Sequence, residues 1–226
     1  MDFAKAFTYI FDDKDWIKKI GIAAGILLIS PITLGILALP VIGWGMEILR
    51  RTTNGRADIL PEWDNFGGFF MDGLKGLGVA LIYALPIIVI QACNAGITIA
   101  LTSAGSSASG DTADAMVMAS TGISGLLLCL VVIFAVAIAL LQPAGMALLA
   151  NTGKFANAAN PMNALAEFRR NPGGYLLAGL VGSLIVSLLG SVGVVACFVG
   201  AFVGYAIGIA VQNHLLGQAY SKAHQS

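Results

Sequence analysis

The sequence predicts an all-α fold: a polytopic transmembrane helix bundle with interfacial amphipathic helices and three helical-hairpin-like units. Three observations predict it. First, of 226 residues, 58% are hydrophobic and 11% charged, against roughly 25% charged in a soluble domain. Second, Asp, Glu, Lys and Arg are absent between Lys19 and Glu47, Lys75 and Asp111, Asp114 and Lys154, and Arg170 and Lys222. Each gap exceeds the ~20 apolar residues that cross a bilayer core, and together they leave too little polar surface to cover a soluble fold. Third, the basic residues fall in alternate connecting stretches, as the positive-inside rule requires.

Residues 1–226 read as a single transmembrane domain. Residues 1–19 form an interfacial helix, with Phe3, Phe7, Ile10 and Phe11 at helical spacing and Trp16 at the headgroup level. Residues 20–49 are the first hydrophobic segment, interrupted by Pro31 and Pro40. Two readings stay open for it. Either it is one tilted span, or it is two short arms meeting near Ser30–Pro31 as a re-entrant hairpin. Residues 60–76 read as a second interfacial helix, with Trp63, Phe66, Phe70 and Leu74 as its apolar stripe and Pro61 in its first turn.

Residues 77–103 and 120–150 read as transmembrane helices joined by a small-residue loop over 104–119. An interfacial stretch over 160–172 follows. Two further spans, 173–192 and 194–217, turn at Gly190-Ser191-Val192-Gly193. No Lys or Arg lies in 104–119, whereas 50–76 holds four and 151–172 three. Those two stretches are therefore expected in the cytoplasm, and Lys222 places the C-terminus there too. Lys5, Lys14, Lys18 and Lys19 favour the same side for the N-terminus, and that requires residues 20–49 to enter and leave together. A single first span with the N-terminus outside is the competing arrangement.

A weak internal repeat runs along the chain. An aromatic amphipathic stretch precedes an apolar pair at Phe7–Trp16, at Trp63–Phe70 and at Leu165–Tyr175. Transporter folds use such symmetry, and so do plain duplicated bundles.

Several motifs together carry a family resemblance. They are the opening Phe7…Phe11…Trp16-Ile17-Lys18-Lys19-Ile20, then Leu60-Pro61-Glu62-Trp63-Asp64 with Gly73-Leu74-Lys75, then Arg169-Arg170-Asn171-Pro172 with Tyr175. Gln212-Asn213-His214-Leu215 with Gly217-Gln218-Ala219-Tyr220 closes the set. Over nearly its whole length the chain resembles an uncharacterised multi-pass membrane family of bacteria and archaea, domain of unknown function 4013. The Leu-Pro-Glu-Trp-Asp stretch is the most specific part. The resemblance implies a multi-pass membrane protein and carries no activity with it.

Chemistry is sparse. A net charge of zero argues against nucleic acid as a partner, since phosphates need a basic surface. Cys93, Cys129 and Cys197 have no metal-site spacing and read as small buried hydrophobes. No zinc-protease, nucleophile-elbow or phosphate-loop motif occurs. Asp111 and Asp114 lack the companions of a calcium site, and His214 reads as an interfacial, hydrogen-bonded residue. No cofactor, metal or catalytic residue is expected.

Two features remain. Ala196, Gly200, Gly204 and Gly208 form one ridge of small residues, a glycine zipper, and Gly179, Ser183, Ser187 and Ser191 form another. Small residues let helix backbones approach closely in lipid, so the last two helices are expected to pack on these ridges. The alternative is that one ridge meets a second copy. Gln91, Asn94 and Thr98 share one helix face, with Gln142 in the next helix. They are expected to hydrogen-bond between helices or to line a polar path. The expected function is a structural, scaffold or assembly component of the cell membrane, in contact with lipids and with itself or another membrane protein. The alternative is a channel or permease for a small, weakly charged solute.

Overall fold

The computed structural model describes residues 1–56, 59–195 and 199–225. It is all-α: among the described residues there is no strand. The helices are α1 (Phe3–Asp12), α2 (Trp16–Ile29), α3 (Leu39–Thr53), α4 (Phe66–Ser106), α5 (Asp111–Thr152), α6 (Phe155–Ala159), α7 (Pro161–Arg170), α8 (Pro172–Val195) and α9 (Val199–Ala223). Among the described residues, five segments are long and apolar enough to cross a membrane: Trp16–Thr33, Trp63–Ser106, Asp111–Thr152, Pro172–Val194 and Val199–Ala223.

Local chemistry sets the boundaries. The Asp2 carboxylate caps α1 by accepting from Lys5 N at 2.9 Å, and Asn160 caps α7 by accepting from Met162 N at 2.9 Å, each satisfying an amide that the first helical turn leaves unpaired. Pro31 cannot continue α2, and two short 3-10 turns, Ser30–Thr33 and Ile36–Ala38, carry the chain into α3. Between them Leu34 (φ 51°) and Gly35 (φ 84°) adopt left-handed backbone. The 14 residues of α2 span about 21 Å and the 15 of α3 about 22 Å. Each helix by itself is shorter than the ~30 Å hydrocarbon core, and α2 reaches the length of a candidate span only with the Ser30–Thr33 turn added. The turn between them is bare and apolar, with Leu34 95% exposed.

The chain forms two compact units where the sequence predicts one domain. One comprises residues 1–80 with 140–226, the other residues 81–139. In the smaller unit the distal part of α4 and the first part of α5 form a helical hairpin. Its turn, at residues 107–110, is much shorter than the loop expected over 104–119. The serine- and alanine-rich stretch is helical on both sides of Gly110, and Asp111 and Asp114 sit in the first turn of α5, where their charge opposes the helix dipole. Likewise the interfacial helix and span expected at 60–76 and 77–103 are one continuous helix, α4.

In the larger unit α9 is central, with α1, α2, α3 and α8 packed on it. Packing runs through glycine. A Cβ on Gly43 of α3 would run into the Phe69 carbonyl of α4, and one on Gly73 of α4 into the Leu39 carbonyl of α3. On α9, a Cβ at Gly204 would strike the Leu189 carbonyl, and one at Gly208 would stand 2.7 Å from Val186 Cα. Gly200 lies against Gly193 of α8, and Ala196 falls outside the described residues.

The α8 side of this contact corrects the expectation. Gly182, Gly190 and Gly193 face α9, whereas Ser183, Ser187 and Ser191 are exposed and Gly179 is half-buried. Gly190–Gly193 is therefore helical contact surface and not a turn. On α4 the apolar stripe lies largely open to the outside, and small residues take the inner face. Phe66 and Leu74 point outward and Phe70 is half-buried, while Phe69, Gly73 and Gly76 are buried. In lipid the bulky apolar side chains have no reason to hide, and the small ones are spent on helix contact.

Gly204→Leu should force α8 and α9 apart. We expect a loss of about 2 kcal/mol or more, the scale of overpacking, seen as a lower melting temperature in detergent. Gly96→Leu, at a position with nothing within 4 Å, should melt like the wild type.

Candidate functional site: a buried clasp at the Leu-Pro-Glu-Trp-Asp motif

Lys19, in the second turn of α2, is 2% exposed. A buried ammonium must find acceptors for three protons, and Lys19 finds three. Its Nζ donates to Asp13 Oδ2 at 2.8 Å and to the Leu60 carbonyl at 3.0 Å, and pairs with Glu62 Oε1 at 2.6 Å. Asp13 is equally committed. Its Oδ2 also accepts from Leu60 N at 2.9 Å, and its Oδ1 accepts from Asp15 N at 2.8 Å. Burial alone would raise the Asp13 carboxyl. The Lys19 ammonium and the two backbone N–H groups outweigh it and hold the carboxyl below its ordinary range.

The rest of the motif closes over this pair. The Trp44 indole donates to the Pro61 carbonyl at 3.0 Å, and the Trp63 indole donates to the Lys19 carbonyl at 3.1 Å. The two rings stack with centroids 5.5 Å apart, and Phe69 meets Trp63 edge-on. Leu60-Pro61-Glu62-Trp63 is thus a strap. It binds the start of α2 to the middle of α3 and leads into α4.

The cluster is mechanical in its chemistry. With every proton of Lys19 engaged, its amine is no free nucleophile or base. Among the described residues no three His, Cys, Asp or Glu side chains gather as a metal site.

A second buried polar group holds α1 to α9. The Tyr9 hydroxyl donates to the Ala210 carbonyl at 3.2 Å, and its ring stacks on His214 at 4.4 Å. Gln218 Oε1 accepts from Asp2 N at 2.7 Å, so its amide nitrogen donates to the Asp2 carbonyl at 3.0 Å and to His214 Nδ1 at 3.1 Å. This places the His214 proton on Nε2, a buried donor with no partner among the described residues.

The expected site residues fall as follows. Trp63 is bound into the strap, so its place in the protein is set by Lys19 and Trp44. Trp16 is half-buried against Phe11. Asn94 and Ser124 meet in the smaller unit, Ser124 Oγ donating to Asn94 Oδ1 at 2.9 Å. Thr98 is half-buried and Gln91 exposed, while Gln142 belongs to the larger unit. Cys93 and Cys129, expected to be buried, are exposed on apolar helix faces, where a thiol is as compatible with lipid as with a core. Cys197 lies outside the described residues.

Sequence reasoning missed Asp13, Lys19 and Trp44 as one unit, because their partners lie far along the chain. A nearer signal was available in Asn65-Phe66-Gly67-Gly68 and Asn171-Pro172-Gly173-Gly174. Each asparagine caps its helix identically, accepting from the second glycine N at 3.1 Å.

The strap is also where the comparison with known families bears. A family model described as Protein of unknown function (DUF4013) matches residues 25–209. The chain belongs to this family. In the DUF4013 match the strap lies inside the matched region, while Asp13 and Lys19, which it grips, precede that region. No curated protein and no solved structure matches the chain.

Lys19→Met would strand Asp13 without its cation and should cost about 3 kcal/mol or more. The Asp13 carboxyl ionises more readily folded than unfolded. Its contribution is therefore complete above about pH 4 and drains away as pH falls through the depressed folded value. Asp13→Asn should lower the neutral-pH melting temperature in detergent and flatten its acid limb. A Lys19→Met protein that melts like the wild type would refute the clasp.

Proposed function

We propose that the chain is a non-catalytic structural or assembly component of the cell membrane, with its C-terminus in the cytoplasm. One observation carries this reading: the buried charged side chains Asp13, Lys19 and Glu167, with the Tyr9 hydroxyl, fasten helices to one another. Lys19 and Asp13 hold the strap, Tyr9 holds α1 to α9, and Glu167 accepts from the Tyr175 hydroxyl at 2.8 Å. What is left outside is mainly apolar. In the smaller unit Leu81, Leu85, Ile88, Leu126, Ile133 and Val136 are all exposed, a surface suited to lipid tails or to another membrane protein. The glycine-zipper face of α9 is used within the chain. The exposed Ser183, Ser187 and Ser191 of α8 are left to lipid or to a second copy. Nucleic acid is not among the partners of so neutral a chain.

The Asn94–Ser124 hydrogen bond favours a second reading, a permease for a small, weakly charged solute, because it sets polar groups midway along an apolar hairpin. Reconstituted vesicles separate the two. We expect no flux of glycerol or urea above that of protein-free lipid, together with a membrane partner or second copy retained through mild-detergent purification. Solute flux that collapses in Asn94→Leu would replace the structural reading with the permease.

A further inference from the structure

A cleft of about 540 Å³ opens beside the C-terminal end of α3, lined by Glu47, Arg50, Arg51, Asn54, Arg56 and Ile59. Its volume is that of a small-ligand site. Among the described residues its lining carries three guanidinium groups against one carboxylate.

The three arginines are not equivalent. Arg50 is spent on the fold. Its Nε donates to the Ala150 carbonyl at 2.8 Å, its Nη1 pairs with Glu47 Oε2 at 2.6 Å and its Nη2 with Asp72 Oδ2 at 3.1 Å. Arg51 uses only Nε, on Glu47 Oε1 at 3.0 Å. Among the described residues its two terminal nitrogens have no partner, and the Arg56 side chain has none at all. Glu47 thus anchors two guanidiniums while neutralising one charge.

The end of α3 brings the free donors together. Gly55 takes left-handed backbone (φ 70°). Arg56 N then donates to the Arg51 carbonyl at 2.9 Å and Gly55 N to the Thr52 carbonyl at 3.1 Å. This glycine-terminated helix end folds Arg56 back over Arg51. Asn54 Nδ2 caps the Arg50 carbonyl at 2.9 Å. The Arg50, Arg51 and Thr52 carbonyls at this helix end are therefore occupied, and Arg51 and Arg56 line the space.

We propose that this cleft binds a phosphate group, and that the phosphate is the headgroup of an anionic phospholipid. Paired guanidiniums match phosphate oxygens in geometry as well as charge. The lipid source follows from Ile59. This side chain on the cleft lining is 53% exposed and offers an apolar contact that a free phosphate does not need and a lipid does. The cleft also stands where α3 ends, in a chain whose helices are built for a bilayer. Juxtamembrane Lys and Arg at such a level recognise anionic headgroups.

The test uses the full chain in nanodiscs of phosphatidylcholine, with and without phosphatidylglycerol, and native mass spectrometry to read retained lipid. A parallel calorimetric titration uses inorganic phosphate. The variants are Arg56→Gln, which breaks no side-chain bond among the described residues, and the double variant Arg51→Gln with Arg56→Gln. Lys154→Gln, an exposed cation elsewhere, is the control. The wild type should retain phosphatidylglycerol in preference to phosphatidylcholine. At roughly five-fold per cation, the double variant should lose about twenty-five-fold in affinity, and Lys154→Gln should lose nothing. Inorganic phosphate that binds with the same sensitivity to Arg51 and Arg56 would uphold the phosphate site and assign it a soluble ligand. The proposal is overturned if the wild type shows neither preference nor phosphate binding. It is equally overturned if Lys154→Gln weakens retention as much as Arg56→Gln, since general surface charge would then explain it.

Discussion

Removing the Lys19 ammonium from water costs several kcal/mol, and three acceptors arranged around one atom offset that cost. Two of the three, the Leu60 carbonyl and Glu62, come from the strap, and the third is Asp13, before α2 begins. The geometry can be satisfied only when the chain leaving α3 returns to the level at which it entered α2. Much of the larger unit follows from that requirement. With both ends of the α2–α3 pair pinned together, Pro31 and the left-handed Leu34–Gly35 step form the far tip. The strap then sets the starting point of α4, and α3 is held where Gly43 and Gly45 can meet α4 and α9. The Trp44–Trp63 stack covers the polar cluster and limits exchange of its bonds with water.

The second organising force is an inversion of the usual core. Glycine and alanine occupy the closest helix contacts, beside buried Ile20, Val41, Leu49 and Leu215, while many leucines, isoleucines and valines of α4, α5 and α8 lie outside. Reciprocal approach at Gly43–Phe69 and Gly73–Leu39 places backbone on backbone, which maximises dispersion where no hydrophobic drive separates helix from lipid.

The amino-acid pattern carried the fold class openly, because charge-free runs report on the solvent whatever the helix packing. It carried the Leu-Pro-Glu-Trp-Asp strap as a distinctive string, though not its grip on Lys19, which joins residues 41 apart in sequence. Periodicity alone misread two features. The ridge through Ser183 and Ser187 has the spacing of a packing face, but Gly182, Gly190 and Gly193 approach more closely and take that role. Gly190-Ser191-Val192-Gly193 has the composition of a turn in water, yet in a membrane helix the same glycines are contact surface. The run from Ala104 to Gly110 looked like a linker because serine and glycine dominate it, and its helical flanks depend on pairing within the α4–α5 hairpin. Of the polar face on α4, Asn94 joins two helices by a side-chain bond, to Ser124, which was invisible to a search for amides.

Whether the strap truly pins both ends of the first hairpin to one side of the membrane can be measured directly. Cys93, Cys129 and Cys197 would be replaced by serine. Single cysteines would then be placed by Lys18→Cys, Leu34→Cys and Asn54→Cys and probed in sealed vesicles with a membrane-impermeant maleimide. The account predicts that the cysteines at 18 and 54 react from the same side and that the one at 34 is shielded from both. Reaction at 18 and 54 from opposite sides would contradict it.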